Sequence, residues 1–220
     1  MEEIQAIREG YIYIHDMSAR RDTMNCCLFD VKNVLSGGFE MGNLWYNEPK
    51  TLDTAFDVIG DIVLSAASQQ YGGFTVPSVD EILEPYAEKS HKKLIEKYRG
   101  LGLDEETVQK VAWADLEKEM EQGFQGWEYK FNSVSSSRGD YPFITVTAGT
   151  RTSIYGKLAT IKMLEVRKNG QGKDGHKKPV LFPKIVIFVR REPAWSWKNR
   201  WKMCSKRESS VPERPCIRIG

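Results

Sequence analysis

The chain has 220 residues and a formal net charge of +2, with hydrophobic and charged fractions of 40% and 28%. These values are ordinary for a soluble globular protein, and the length suffices for one sizeable core. No apolar run approaches the roughly eighteen residues of a membrane span, and the N-terminus lacks a signal-peptide pattern, so we expect a cytoplasmic protein. The four cysteines are accordingly expected to be reduced thiols.

Two adjacent cysteines stand at the start of the short apolar run 26–31, which predicts a buried core strand. Residues 11–14 predict an extended segment that leads through a charged turn towards it. Because side chains alternate along a strand, Cys26 and Cys27 should point to opposite faces. One cysteine is therefore a candidate reagent, and the other packs in the core.

Helical spacing of apolar residues predicts four helices. The first begins at an N-cap, Thr51, and ends at Gly72 and Gly73; the second begins at Ser78 and ends at Gly100. The third follows Asp104 and carries an apolar stripe from residue 108 to residue 131, which we interpret as core rather than as a cofactor site. The fourth covers residues 152–168.

Further strands are predicted at residues 143–147 and 179–188, the latter as a continuous apolar strand buried on both faces. The glycine-dense stretch 35–43 predicts a surface loop, and the polar surroundings of His91 and His176 predict solvated imidazoles. Strands that alternate with helices indicate an α/β fold with crossover helices. The strands are too few to close a barrel alone.

Nine ordered motifs now carry a resemblance. They are His15-Asp16, Asn25-Cys26, the run Gly37-Gly38-Phe39-x-Met41-Gly42-Asn43, Pro49-Lys50, Tyr71-Gly72-Gly73, Glu84-Pro85, Gln125-x-Trp127-Glu128-Tyr129-x-x-Asn132, Pro142-Phe143 and Phe182-Pro183-Lys184. This pattern resembles the catalytic barrel of the anaerobic, class III ribonucleoside-triphosphate reductases. The resemblance implies part of the ten-stranded α/β barrel that is shared with glycyl-radical enzymes, and reduction of a ribonucleoside triphosphate at C2′.

The resemblance also implies site residues. Cys26 matches the family's cysteine on the substrate face of the first barrel strand, a thiol that donates a reducing equivalent as the 2′ hydroxyl is lost. Asn25 matches its polar neighbour, and His15 is expected at the edge of the active site or in a structural role. Ser136 and Ser137 lie in a stretch similar to one at the substrate end of the barrel, so they are expected to contact the nucleotide.

The implied cofactors and partners lie mostly outside this chain. In the family, an iron–sulfur and S-adenosylmethionine activase installs the glycyl radical, a C-terminal cysteine cluster binds zinc, and an ATP-binding regulatory domain precedes the barrel of a homodimer. The chain contains no thiyl cysteine, glycyl-radical loop or metal-ligand spacing that we recognise, so we expect neither metal nor activity from it alone. The expected ligand is a ribonucleoside triphosphate, with no direct nucleic-acid or membrane partner.

We divide the chain into a reductase barrel fragment, residues 1–188, and a tail, residues 189–220, that does not follow the family pattern. An alternative reading frame with permitted codons would restore a family-like helix over the tail, which suggests a frameshift near residues 187–198. Two other hypotheses stay open: a non-catalytic nucleotide-binding or interaction module, and a nucleic-acid binder that uses the basic, tryptophan-containing tail. Only the reductase fragment accounts for the ordered motifs.

Overall fold

The computed structural model describes Gln5, Glu9 and residues 26–70, 72–134 and 141–189. The extended segment predicted at residues 11–14 and the tail beyond residue 189 lie outside the described residues. Within the described ranges there are six strands and five helices. In chain order they are β1 (Cys27–Leu28), α1 (Val31–Leu35), β2 (Phe39–Met41), β3 (Leu44–Tyr46), α2 (Leu52–Ser68), β4 (Phe74–Val76), α3 (Val79–Arg99), α4 (Glu105–Ser133), β5 (Ile144–Ala148), α5 (Ile154–Asn169) and β6 (Lys184–Ile187).

Four of the strands form a parallel sheet in the order β1-β4-β5-β6. Helices connect each strand to its neighbour, as parallel strands require. Strands β2 and β3 form a separate antiparallel hairpin between α1 and α2. The glycine-dense stretch 35–43, which we predicted as a surface loop, therefore contains strand β2 of this hairpin. Its glycines supply the positive φ angles of the turns before and after that strand.

Within the part of the chain that the structure describes, helices cover the parallel sheet on one face only. Side chains that point towards the helices are almost fully buried, among them Phe74, Val76, Ile144 and Val146. On the opposite face Leu28 is 77% exposed and Val186 is 46% exposed. A doubly wound sheet carries helices on both faces, whereas a barrel carries them only outside. The sheet therefore has the one-sided burial of a barrel segment, and the predicted α/β class is confirmed.

The helices pack tightly behind the sheet. Gly123 of α4 lies against the ring of Phe56 of α2 so closely that a Cβ atom at this position would stand 2.2 Å from the ring. Trp127 packs edge-on against the same ring and donates its indole N–H to the Phe56 carbonyl oxygen at 2.8 Å. The apolar stripe predicted along α4 is the core face of this helix, as expected.

The first N–H groups of helix α2 donate hydrogen bonds to side chains of other helices. Thr51 stands at the predicted N-cap position, but its side chain makes no capping bond. Instead, the N–H of Leu52 donates to Ser90 Oγ at 2.8 Å, and the N–H of Asp53 donates to the Glu119 carboxylate at 2.9 Å. Ser90 also donates to Glu119 at 3.0 Å. One carboxylate from α4 thereby helps to satisfy the helix end that a local cap would normally satisfy.

A buried carboxylate fixes the loop after β5. Asp80, in the first turn of α3, is fully buried and accepts hydrogen bonds from the N–H groups of Gly149 and Arg151 at 3.2 and 2.7 Å. The Thr150 hydroxyl donates to the same carboxylate. Next to it, the N–H of Ser78 donates to the Thr147 hydroxyl at 2.8 Å. These bonds hold together the carboxyl-terminal ends of β4 and β5.

The segment that leads into β6 is anchored by polar side chains of α4 and α5. Asn132 pairs with the backbone of Phe182 through two hydrogen bonds, of 2.6 and 3.1 Å. Arg167 donates to the carbonyl oxygens of Val180 and Pro183 and forms an ion pair with Glu128 at 2.7 Å. Glu128 is 4% exposed, so its carboxylate is almost completely removed from water, whereas the Arg167 side chain is 21% exposed.

Three further sequence predictions were wrong. The run at residues 26–31 contains only a two-residue strand, because Asp30 caps the short helix α1 that follows it. Strand β6 is not buried on both faces, because the covering helices lie on one side only and Val186 points to the other. His91 is not solvated: it is 9% exposed, packs edge-on against Trp113, and its burial lowers the pKa of the imidazole.

Glu119 predicts a pH dependence of stability. Burial raises the pKa of Glu119, and the Asp53 N–H and Ser90 hydroxyl oppose this only in part. The folded protein thus holds this proton more tightly than the unfolded chain, so the contribution to stability is present below the ordinary value of 4.5 and is lost as pH rises through the folded pKa. Glu119→Gln keeps an acceptor without the charge. Its unfolding free energy relative to wild type should increase from about pH 4 to about pH 7 in urea titrations.

The matched control for Glu119→Gln is Glu106→Gln, which removes an exposed carboxylate from the same helix. A variant-minus-wild-type difference that stays constant over this pH range, or that falls, would contradict the role given to burial. Titration of His91 affects wild type and variant alike, so it cancels in the difference.

The Glu128–Arg167 pair predicts a large loss of stability on truncation. Arg167→Met leaves the Glu128 carboxylate buried and without its cation. It also removes the two N–H donors that bond the carbonyl oxygens of Val180 and Pro183. We expect a loss of about 2–4 kcal/mol in unfolding free energy, measured by urea denaturation. The double variant Glu128→Gln with Arg167→Met should recover part of the loss, because it removes the unpaired charge. Arg99→Met, which breaks an exposed ion pair, is the control, and an equal loss there would refute the argument.

Candidate functional site

The uncovered face of the parallel sheet is the candidate site. Register pairs Leu28 with Thr75, Thr75 with Thr145, and Thr145 with Lys184, so these four side chains form one row across the sheet on that face. The same register puts Cys26, Gly73 and Phe143 in a second row on this face, two residues before Leu28, Thr75 and Thr145. The face thus presents a thiol, two hydroxyls, an aromatic ring and an ammonium group.

The two adjacent cysteines lie on opposite faces, as predicted. Cys26 is exposed on the uncovered face, and its sulfur accepts a hydrogen bond from the N–H of Gly73 at 3.3 Å. Cys27 is half-buried and packs against the core on the helix-covered face, where Gln70 donates to its sulfur at 2.6 Å. The alternation of the strand therefore presents Cys26 as the accessible thiol and uses Cys27 for packing.

Gly73 separates Cys26 from Phe143 on this face. A Cβ atom at Gly73 would lie 3.3 Å from Phe143 Cδ1, so the ring leans over the glycine towards the cysteine strand. Phe143 is 49% exposed and packs edge-on against Phe182, at 5.4 Å between ring centroids. Its ring therefore lies on the uncovered face beside Gly73 rather than in the main core.

The four other predicted site residues, His15, Asn25, Ser136 and Ser137, lie outside the described residues, so their predicted contacts stay predictions. Lys184 was found only as a member of a motif, with no role. The alternation of side chains along residues 184–187 puts Lys184 and Val186 on one face of the strand. Because both faces of this strand were predicted to be buried, the alternation did not identify Lys184 as a site residue.

No cluster of three or more His, Cys, Asp or Glu side chains that could hold a metal ion occurs among the described residues. The same part of the chain contains no helix that is both long and apolar enough to cross a membrane. The residues described here therefore offer no zinc site.

The two cysteines should differ in reactivity. Limited iodoacetamide treatment of the folded chain should modify Cys26 on the order of ten times faster than Cys27, because only Cys26 is exposed. Both residues fall in one tryptic peptide, residues 22–32, so fragment-ion masses must assign the modified sulfur. In urea the two rates should converge. Faster modification of Cys27 in the folded protein would reverse the assignment of the two faces.

Comparison with known proteins agrees with the residue pattern. The family model described as "Anaerobic ribonucleoside-triphosphate reductase" matches residues 1–210. The chain is 35% identical over 188 residues to the protein of that name from Enterobacteria phage T4, which covers 84% of this chain and 30% of the phage protein. It is 36% identical over 190 residues to the one from Haemophilus influenzae, covering 86% of this chain and 26% of that protein.

A solved structure agrees in fold. The anaerobic ribonucleotide reductase from Thermotoga maritima, crystallised with MES in the active site, superposes with a TM-score of 0.57 over 93% of this chain and 35% of that one, at 15% identity. At this identity the likeness supports the fold alone, which is the partial barrel predicted above. The chain spans less than a third of the length of the curated relatives it matches.

The family model covers nearly the whole chain, and two curated relatives exceed 30% identity over more than four-fifths of it. The chain belongs to the anaerobic ribonucleoside-triphosphate reductase family.

Proposed function

We propose that this chain contributes the Cys26 strand and its neighbours to an oxidoreductase that converts ribonucleoside triphosphates to 2′-deoxyribonucleoside triphosphates. Family membership supports the reaction class, since the relatives carry the name of this activity. The observation that carries the proposal is the exposure of the Cys26 thiol on the uncovered face of a barrel-type sheet. Supply of DNA precursors, a cytoplasmic location and ATP binding by the intact enzyme belong to the same proposal.

The proposed role of Cys26 is that of a hydrogen donor. The net reaction replaces the C2′ hydroxyl by hydrogen, releases one water molecule and consumes two electrons and two protons. The Cys26 thiol supplies one hydrogen atom, and a further reductant, formate or a thioredoxin-like protein, supplies the rest. The sulfur lies at the surface of the sheet, where a ribose can approach it, and the Gly73 N–H holds it at 3.3 Å. Asn25, His15, Ser136 and Ser137 are the proposed substrate contacts.

The remaining chemistry must come from groups that we do not find in this chain. A glycyl radical, when present, supplies the unpaired electron that starts the reaction, and the family's zinc belongs to another region of the enzyme. The described residues do not fit a zinc site. We therefore propose that these 220 residues do not turn over substrate without the rest of a reductase, a homodimer partner and an activase.

A second candidate function is nucleotide binding without catalysis. The observation in its favour is that Thr75 and Thr145 place two hydroxyls on the uncovered face, where they can hydrogen-bond a nucleotide whether or not the sulfur reacts. A binding module would retain saturable ribonucleoside-triphosphate binding, and its affinity would not depend on the sulfur of Cys26.

A chimaera tests the catalytic proposal. Residues 26–188 of this chain replace the matching segment of the phage T4 relative, and deoxyribonucleotide formation is measured after activation under anaerobic conditions. We expect the chimaera to form product, Cys26→Ser to abolish product formation, and the matched variant Cys27→Ser to retain most of it. If Cys26→Ser retained activity, the proposed role of this thiol would be wrong. If the unsubstituted chimaera folded and bound nucleotide without forming product, the binding module would be favoured.

A further inference from the structure

Lys184 is a charged group with no role in the proposal so far. It lies on the uncovered face at the start of β6, in the row that also contains Thr145 and Thr75. Its ammonium nitrogen stands 4.0 Å from the centroid of the Phe143 ring. Among the residues that the structure describes, no carboxylate comes within ion-pair distance of it. The other described side chains assigned to this face by register, Leu28, Thr75, Thr145, Thr147 and Val186, are uncharged.

A lysine on an edge strand has an ordinary explanation, because such charges discourage unwanted strand pairing. That explanation requires the side chain to project from the edge. Here the side chain instead folds back over Phe143, which belongs to the segment entering the neighbouring strand β5. The contact with the ring holds the ammonium group over the segment that enters β5, so the side chain extends across the sheet face rather than outward from the edge.

A short series of contacts connects Lys184 with the thiol. Cys26 Sγ lies 3.3 Å from the Gly73 nitrogen, a Cβ on Gly73 would lie 3.3 Å from the Phe143 ring, and the Lys184 nitrogen lies over that ring. A ligand that reached the sulfur would therefore meet the ring and the ammonium group on the same side. Phe143 offers an apolar wall, and Lys184 offers positive charge.

The backbone just before β6 is also held by side chains of α4 and α5. The backbone of Phe182 is paired with Asn132, and the carbonyl oxygen of Pro183 accepts a hydrogen bond from Arg167 at 2.7 Å. Both anchors immediately precede Lys184. They fix the backbone from which its side chain extends, which is what a residue needs in order to meet a ligand in a defined position.

We propose that Lys184 binds the phosphate chain of the ribonucleoside triphosphate while Phe143 orients the lysine and forms a wall beside the Cys26 thiol. This inference rests on the proposed function for the identity of the ligand. The chemical argument is independent of it. An ammonium group that has no carboxylate partner in the described ranges, on a face whose other described side chains are uncharged, favours an anion. Asn132 and Arg167 then act as positioning residues, because they act through the backbone before Lys184.

The binding experiment compares Lys184→Met with wild type. Each of the four common ribonucleoside triphosphates is titrated against the purified 220-residue chain by calorimetry, and the corresponding ribonucleosides serve as uncharged probes. Lys184→Met should weaken triphosphate binding about tenfold or more, because a charge-assisted contact is lost, and should leave nucleoside binding unchanged. Lys184→Arg should stay within about threefold of wild type. Lys157→Met, which removes an exposed lysine from α5, should bind as wild type does.

Equal weakening of triphosphate and nucleoside binding in Lys184→Met would overturn the proposal, as would unchanged triphosphate binding. Weakening of the same size in Lys157→Met would show a loss of general positive charge rather than of a specific contact, and would also overturn it.

A second measurement needs no nucleotide and separates failure of this inference from failure of the proposed function. Cys26 is alkylated with anionic iodoacetate and with neutral iodoacetamide, and the ratio of the two rates is taken by mass spectrometry. A nearby ammonium group raises this ratio, so Lys184→Met should lower it about two- to threefold at low salt, with less effect near 1 M salt. Lys157→Met should leave the ratio unchanged.

If wild type binds no triphosphate but Lys184→Met lowers the ratio, the anion subsite stands and the proposed substrate is wrong. If Lys184→Met leaves the ratio unchanged, the subsite is refuted whatever the chain binds.

Discussion

The described part of the structure depends on helices that cover the parallel sheet on one side only. Burial of the side chains on that side stabilises the fold, and each fully buried aliphatic or aromatic residue contributes roughly 1.5–3 kcal/mol relative to exposure. The helices leave the other side of the strands to carry chemistry. Cys26 and Cys27 differ by a single position, yet this constraint gives one of them a packing role and the other an accessible thiol.

The same constraint explains where polar groups are buried. Behind the sheet, Asp80, Glu119 and Glu128 each accept backbone or side-chain hydrogen bonds that fix a loop or a helix end. None of them points to the uncovered face. These carboxylates therefore fix loops and helix ends around the sheet, while the exposed row of the sheet stays available. Removal of the Arg167 side chain would therefore alter the position of Lys184 through the backbone at Pro183. The two side chains themselves lie on opposite sides of the sheet.

The sequence predicted those features that depend on local pattern. Helix α4 was predicted from an apolar stripe whose period matches a helix, and the opposite orientation of Cys26 and Cys27 follows from the geometry of any strand. The cap of α2 could not be predicted, because Ser90 and Glu119 are distant in sequence and become neighbours only when three helices pack. His91 was misread for a related reason: its polar neighbours on α3 face water while it faces Trp113.

The error over β6 shows why the site was harder to predict than the fold. A run of apolar residues has the same composition whether it lies inside a doubly wound sheet or on one side of a barrel segment, because composition does not record which face is covered. Only the alternation of exposed and half-buried residues from Lys184 to Ile187 distinguishes the two. Since a residue's access to the site depends on its face, a wrong assumption about covering conceals functional candidates. Lys184 was concealed in this way, whereas strand alternation separated Cys26 from Cys27 and the family resemblance assigned the reactive role to Cys26.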